Sequence, residues 1–276
     1  MTTTGLDRTV LSAVVDAFGV AVEVVVHGDR ADEVLDRLHE LWEFCRPSAE
    51  AAAEVSTRVV FDSDPAVVQQ AQAAGDVSRA DLDDLLQVLT QRITLSAIDA
   101  RAGECLMLHA ACLADRETGA AAAFVAPGGT GKTTLVRVLG PGRWYVTDET
   151  TVVLADRTVV PYPKPLSIRR TPTSLLKDET APSALALEPP ATAVRLAALC
   201  LLERTDAHDG APQVDMLGTL DALVALVPQT SHLPEMALPL QGLAALCESL
   251  GGVHRVTYRE SADLAAWLDE LLGGAG

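Results

Sequence analysis

Residues 126–134 read Ala126-Pro127-Gly128-Gly129-Thr130-Gly131-Lys132-Thr133-Thr134, and this stretch decides the fold. The apolar run 120–125 precedes it and the helix-like run 135–139 follows it. The order of strand, glycine-rich turn and helix predicts a phosphate-binding loop, in which backbone N–H groups and a helix N-terminus face the anion. In such a loop the Lys132 ammonium neutralises the β- and γ-phosphates, and the Thr133 hydroxyl is a ligand of Mg²⁺.

The first position of the loop departs from the strict G-x-x-x-x-G-K-[ST] pattern, because Ala126 stands where that pattern has glycine. Alanine is compatible with this position if its backbone φ is negative. The alternative interpretation is a glycine-rich hairpin whose Lys-Thr-Thr sequence opens a helix by coincidence. The order of the flanking elements favours the phosphate loop.

The composition bounds the class of protein. The chain has 276 residues, of which 49% are hydrophobic, so it suits one large domain or a domain with a smaller appendage. The formal net charge is −17, which argues against extended contact with nucleic acid or with an anionic membrane. A nucleotide must therefore be held by local donors and not by the overall field of the protein.

The cysteines and the start of the chain favour a cytoplasmic protein. The five cysteines lie mainly in apolar contexts without a C-x-x-C pair, so we expect reduced core residues. Residues 1–10 are polar and predict no secretory signal, and no uncharged apolar run approaches membrane-spanning length.

The hydrophobic pattern predicts alternating strands and helices. A β-α-β pattern near the N-terminus indicates a small α+β module, and a long amphipathic helix connects it to the strands around the loop. The predicted strands are 19–26, 54–61, 105–113, 120–125, 143–146, 151–154, 158–160, 194–202 and 253–258. The predicted helices are 31–45, 81–102, 135–139, 220–227, 240–250 and 261–272.

An acidic pair follows the loop closely. Asp148 and Glu149 end the apolar run 144–147, which comes after one short helix and a turn. A carboxylate placed so near the loop in sequence is expected to meet Mg²⁺ or the attacking hydroxyl. The alternative interpretation is an exposed turn that is acidic by chance.

His109 lies on the strand that we expect beside the loop strand. If it faces the site, its change of charge near neutral pH would help to hold a transferring phosphate. The alternative, a core histidine with a hydrogen-bond partner, is left open.

These features together resemble the nucleotide site of ATP-type phosphoenolpyruvate carboxykinases and of the HPr kinase/phosphorylase family. The resemblance rests on the Gly129–Leu135 stretch, the close Asp148-Glu149 pair and the histidine-bearing strand 106–110. The run 160–166, Val-Pro-Tyr-Pro-Lys-Pro-Leu, is similar to that of HPr-kinase-like proteins in bacterial clusters that tailor ribosomal peptides. The resemblance covers about 106–170 well and the C-terminal third only loosely.

The resemblance implies roles for particular residues. Residues 126–134 would bind the triphosphate of ATP, with Lys132 on its phosphates and Thr133 on Mg²⁺. Asp148 would be a metal ligand or general base, Glu149 would share that catalytic role, and His109 would lie near the transferred phosphoryl group.

Two departures limit what the resemblance implies. HPr kinases have two adjacent aspartates where this chain has Asp148 and Glu149, so the division of roles between the two acids is open. The glycine-rich, arginine-containing loop that those enzymes use for their protein substrate has no counterpart here, so phosphorylation of HPr is not implied.

Three basic residues stand out in so acidic a chain, namely Lys164, Arg169 and Arg170. They are candidates for binding an acidic substrate or a nucleotide phosphate through charge-assisted hydrogen bonds. A solvated surface is the alternative interpretation.

We therefore predict an α/β protein with a phosphoenolpyruvate-carboxykinase-like P-loop core and a mixed sheet (79–276), preceded by a small N-terminal α+β module (1–78). The predicted activity is Mg²⁺-dependent transfer of the ATP γ-phosphoryl group to a hydroxyl, on a serine of a peptide or protein or on a small molecule. A nucleotide-dependent accessory protein or an ATPase without an acceptor is the alternative, and the oligomeric state, including a homo-oligomer, is open. Carboxykinase chemistry is disfavoured because its metal and carboxylate ligands are not found, and GTPase chemistry because no N-K-x-D motif occurs.

Overall fold

The computed structural model describes residues 10–48, 52–171, 173–174 and 176–273. The prediction that there is no secretory signal concerns residues 1–10, and residues 1–9 lie outside the described range. Packing divides the chain into two compact units. The first comprises the described residues of Met1–Ala100 with Lys164–Ala181, and the second those of Arg101–Pro163 with Pro182–Gly276.

Strands and helices alternate along most of the chain. The strands are β1 (Val10–Ala17), β2 (Val20–His27), β3 (Val55–Val60), β4 (Val77–Ser78), β5 (Leu106–Ala114), β6 (Ala120–Val125), β7 (Trp144–Thr147), β8 (Thr150–Val153), β9 (Thr158–Val160), β10 (Leu166–Arg169), β11 (Lys177–Thr180), β12 (Val194–Arg204), β13 (Gln213–Leu217), β14 (Thr230–Ser231) and β15 (Val253–Tyr258). The α-helices are α1 (Ala31–Leu41), α2 (Pro65–Ala73), α3 (Leu82–Ala100), α4 (Lys132–Leu139), α5 (Thr219–Leu226), α6 (Pro239–Ser249) and α7 (Ala265–Gly273).

The first unit is built on a sheet in the order β1-β2-β3-β4. The strands β2 and β3 are parallel and connected through α1, which confirms the predicted β-α-β pattern. The strand β1 pairs antiparallel with β2 and was not predicted. The hairpin of β10 and β11 also belongs to this unit, where the Lys177 backbone N–H donates to the Gln87 side chain on α3 at 3.0 Å.

Packing groups α3 with the first unit, whereas the division at residues 78 and 79 assigns α3 to the second domain. That division stays a prediction about domains.

The second unit contains a mixed sheet in the order β13-β15-β12-β6-β5-β8-β9, with β7 and β14 also paired to β5. Strands β6 and β15 run parallel to β12, whereas β9 pairs antiparallel with the start of β12, and β5 runs antiparallel to β6 and to β8. The protein is therefore a mixed α/β protein with mixed sheets, as the sequence predicts.

Helices lie on both faces of this sheet. Leu106, Leu108 and Ala110 of β5 share one apolar cluster with Leu226 of α5 and Leu243 of α6. Side chains alternate along a strand, so His109 points to the opposite face, where α4 packs against β5. The face of α4 is thus the face that holds the candidate site.

The five cysteines are all buried and free, as expected for reduced core residues. No helix of the described residues is both long and apolar enough to cross a membrane.

Candidate functional site

The predicted phosphate loop joins the end of β6 to the start of α4. Ala126 is buried and is not among the residues with positive φ, so the condition for alanine at this position is met. Gly129 and Gly131 have φ of +83° and +109°, in the region that favours glycine. An added Cβ at either position would meet no atom within 4 Å, so the space above the loop is open. This open concave backbone at a helix N-terminus fits a phosphate group.

Lys132 is enclosed by the loop that precedes it. Its side chain is 6% exposed, and its Nζ donates to the backbone oxygens of Ala126 at 2.5 Å and Pro127 at 3.3 Å. Burial lowers the pKa of Lys132 to about 8, against the opposing effect of the carboxylates of Glu149 and Asp148. The loop thus holds a cation that loses its charge unusually easily.

Thr133 and Asp148 meet across the mouth of the loop. The Thr133 hydroxyl donates to Oδ2 of Asp148 at 2.8 Å, and the Tyr145 hydroxyl donates to Oδ1 at 3.2 Å. Asp148 is 4% exposed and Tyr145 is fully buried, so the exposed acidic turn is the wrong interpretation for Asp148. A hydroxyl and a carboxylate oxygen side by side are hard ligands of the kind that Mg²⁺ takes next to phosphate oxygens. The residues therefore fit a magnesium ion that is bound together with a nucleotide.

The two acids interrupt a strand that otherwise runs along β5. Thr147 lies opposite Cys112 and Thr150 lies opposite His109, so Asp148 and Glu149 fall between two paired segments. They therefore leave the sheet in the middle of an interrupted strand and not at its end.

Threonine hydroxyls replace the missing strand-to-strand hydrogen bonds. The Glu149 backbone N–H donates to the Thr147 hydroxyl at 3.3 Å, and the Thr151 hydroxyl donates to the Ala110 carbonyl at 2.9 Å. These bonds satisfy backbone groups that the interrupted ladder would leave unpaired.

His109 lies on β5 beside the end of the loop strand, because its neighbour Ala110 pairs with Val125. Its pKa is lowered from 6.5, first by burial and second by the charge of Lys132. Glu149 opposes this shift through its charge and through its backbone, to which the imidazole is hydrogen-bonded, and Asp148 opposes it more weakly. The ring is therefore neutral at pH 7, so the expected change of charge falls below neutral pH.

The structure thus brings together five predicted residues in the second unit, namely His109, Lys132, Thr133, Asp148 and Glu149. Sequence analysis missed Tyr145, because an aromatic residue in an apolar run is typical of a core strand. Among the described residues, no group of three or more His, Cys, Asp or Glu side chains is placed to hold a metal.

The three basic candidates lie in the first unit and have local partners there. Lys164 is 1% exposed, and its Nζ donates to the backbone carbonyl of the next residue, Pro165, at 3.1 Å. Arg169 donates to a nearby loop carbonyl at 3.0 Å. Arg170 forms ion pairs with Asp83 at 2.9 Å and Asp178 at 2.6 Å. Their role in binding a substrate stays a prediction.

Comparisons with known proteins give little beyond this geometry. No family model matches the chain, and no curated protein matches it. Among solved structures, the chain has a distant similarity to the Hpr(Ser) kinase/phosphatase from Coxiella burnetii, at 10% identity and a TM-score of 0.28, over 61% of this chain and 94% of the other. Because a TM-score of 0.28 is too low to establish a shared fold, the proposals below rest on the residues of this chain.

Proposed function

We propose that this protein is a Mg²⁺-dependent phosphotransferase that moves the γ-phosphoryl group of ATP to a hydroxyl. The observation that carries the proposal is the 2.8 Å hydrogen bond between Thr133 and Asp148 at the mouth of the glycine-rich loop. It joins a phosphate-binding element to a buried carboxylate in the arrangement that phosphoryl transfer requires. The finer fold that goes with this proposal is a phosphoenolpyruvate-carboxykinase-like core of the HPr-kinase type, in a cytoplasmic protein.

The loop and Lys132 bind the triphosphate. On binding, the Lys132 ammonium exchanges the carbonyls of Ala126 and Pro127 for phosphate oxygens, while the open backbone above Gly129 and Gly131 receives the phosphate. The ammonium keeps oxygen acceptors through this exchange, and the Pro127 carbonyl keeps the hydrogen bonds from the N–H and the hydroxyl of Thr130.

Thr133 and Asp148 would hold the magnesium ion. When bound, the ion neutralises charge that develops on the phosphate oxygens. Both oxygens of Asp148 already accept hydrogen bonds, from Thr133 and Tyr145, so this carboxylate is fixed in one orientation. An oriented, buried carboxylate suits a ligand better than a base that must approach a mobile substrate.

Glu149 is the better candidate for the general base. It is partly exposed, and its extra methylene extends its reach beyond that of Asp148. In the reaction the acceptor oxygen bonds to the γ-phosphorus, the bond from that phosphorus to the bridging oxygen breaks, and the acceptor proton passes to Glu149. The neutral imidazole of His109 lies beside Asp148 and Glu149, and it donates a hydrogen bond to the Glu149 backbone without adding positive charge to the site.

The decisive experiment is incubation of the protein with γ-labelled ATP and candidate acceptors, namely serine-containing peptides and small alcohols. We expect label on an acceptor with wild-type protein and much less label with Asp148→Asn at the same Mg²⁺ concentration. Acceptor-dependent formation of ADP separates this activity from that of a nucleotide-dependent accessory protein. Label that appears only as free phosphate, unaffected by any acceptor or by Asp148→Asn, would contradict the proposal.

A further inference from the structure

The second unit contains a cavity on the face of the sheet that is opposite His109. Its volume is about 490 Å³, and it lies between the start of β5, the turn after β8 and helix α6. Leu106, Val153 and Leu243 form part of its walls and are at most 7% exposed. Cavities of this size with mainly apolar walls are typical of sites for small molecules.

Two arginines give the cavity its charge. Arg157 and Arg195 both line it, and the positive charge of Arg195 acts on the neighbouring Asp156 carboxylate, whose pKa is lowered mainly by its hydrogen bonds with Thr158. Arg157 donates from Nη1 to the Ser249 carbonyl at 3.2 Å, which leaves other donors of its guanidinium fork for a ligand. Its backbone φ of +71° belongs to the tight turn between β8 and β9, in which the Arg157 backbone N–H donates to the Leu154 carbonyl at 2.9 Å.

The acidic residues of the lining already have partners. Glu104 pairs with Arg101 at 3.3 Å. The Asp156 carboxylate accepts hydrogen bonds from the backbone N–H and the hydroxyl of Thr158, both at 2.9 Å. Arg101 offsets the charge of Glu104, and the two arginines of the lining outnumber the remaining carboxylate, that of Asp156, so the lining keeps an excess of positive charge in a protein whose net charge is −17.

We propose that this cavity binds a small apolar molecule with one anionic head group, its apolar part between β5, β8 and α6 and its head group on Arg157 and Arg195. The apolar walls supply affinity through burial, and the guanidinium groups select for charge through charge-assisted hydrogen bonds. The site lies on the other face of the sheet from the phosphate loop, so the proposal does not depend on the proposed activity.

A substitution at Gly242 tests the cavity directly. Gly242 lines it from α6, and an added Cβ there would meet no atom within 4 Å. Gly242→Leu therefore adds a large side chain at the wall of the cavity without a clash at Cβ, and it also favours the helix, since glycine is a poor helix former.

The test is isothermal titration calorimetry with decanoate and with decanol, which has the same chain and no charge. We expect saturable one-to-one binding of decanoate to the wild type, with decanol at least about tenfold weaker, the loss that one charge-assisted hydrogen bond represents. Arg157→Gln combined with Arg195→Gln should reduce decanoate to the affinity of decanol. Gly242→Leu should abolish binding of both.

Two control variants complete the design. Arg204→Gln removes a surface arginine outside the lining, and Lys132→Met disables the phosphate loop; both should bind decanoate as the wild type does. The proposal is overturned if decanoate does not saturate the wild type, if the arginine variant keeps the preference for decanoate over decanol, or if Gly242→Leu binds decanoate normally. Loss of phosphotransfer in Lys132→Met with normal decanoate binding keeps the two proposals distinguishable.

Discussion

The lowered pKa of Lys132 predicts that nucleotide affinity falls as pH rises above about 8. If only the protonated ammonium contributes to binding, the dissociation constant rises by a factor of about 1 + 10^(pH−8), which is about 1.1 at pH 7 and about 11 at pH 9. Binding of ADP should therefore be about tenfold weaker at pH 9 than at pH 7. The nucleotide itself does not account for this change, because the second ionisation of a phosphate, with a pKa of about 6, is largely complete at pH 7.

Folding stability should change in the opposite direction. Above pH 8 the folded protein releases a proton that the unfolded chain keeps up to a pKa of about 10.5, so the unfolded state binds more protons and stability rises with pH. The free energy of unfolding of the wild type, relative to Lys132→Met, should thus increase by up to about 1.4 kcal/mol per pH unit across this window. Few other groups would weaken binding and strengthen folding over the same pH range.

The assay is calorimetric titration with ADP at pH 7, 8 and 9, paired with urea unfolding at the same pH values. Lys132→Arg is the matched control, because a guanidinium stays charged throughout this range. Whatever its affinity at pH 7, this variant should show a flat pH dependence. Equal affinities of the wild type at pH 7 and pH 9, or the same decline in Lys132→Arg, would refute the assigned role of Lys132.

Four substitutions around the loop test the other roles. Asp148→Asn should raise the Mg²⁺ concentration for half-maximal activity at least about tenfold. Glu149→Gln should lower kcat by about 10²-fold or more and leave that Mg²⁺ concentration unchanged. The reverse pattern would exchange the roles of Asp148 and Glu149. Tyr145→Phe should lower the free energy of unfolding in urea by about 1 kcal/mol and raise the Mg²⁺ concentration for half-maximal activity. If that Mg²⁺ concentration does not change, the Tyr145 hydroxyl has only a structural role. His109→Asn should lower phosphoryl transfer more than nucleotide binding. Because the pKa of His109 is lowered, the substitution should also remove a loss of activity that the wild type shows at acidic pH, where the ring becomes protonated. Equal activity would contradict a role for the imidazole.

Strands with a dense run of β-branched residues were predictable from sequence, and those without a local signal were not. The run that became β2 and the helical spacing of α1 are both direct hydrophobic patterns. The strand β1 was missed because its two-residue turn is Phe18-Gly19, with φ of +41° and +89°, where Asn-Gly or Asp-Gly would have been the usual hairpin signal. The strand β11 reads Lys-Asp-Glu-Thr, and its pairing with β10 overrides a weak strand propensity.

Residues of the site that belong to a motif were predictable, whereas their supporting contacts depend on the tertiary structure. The loop and the acidic pair follow from spacing alone. The depth at which Lys132 lies, and hence its lowered pKa, depends on how β5 and the acidic segment pack over the loop. The hydrogen bond from Tyr145 to Asp148 likewise needs a bulge between these two residues, since the pairing of β5 with β7 shifts by one position there.

The threonines around the acidic pair explain how two carboxylates leave the middle of a sheet at little cost. Backbone groups that lose their strand partner must find another, because an unpaired buried group costs about 1–3 kcal/mol. Thr147 and Thr151 each supply a hydroxyl at the point where a ladder bond is missing, one as acceptor and one as donor. Valine has nearly the same shape and can supply neither hydrogen bond. The sequence Thr-Asp-Glu-Thr-Thr is therefore a structural unit, in which the threonines allow Asp148 and Glu149 to turn from the sheet towards the phosphate loop.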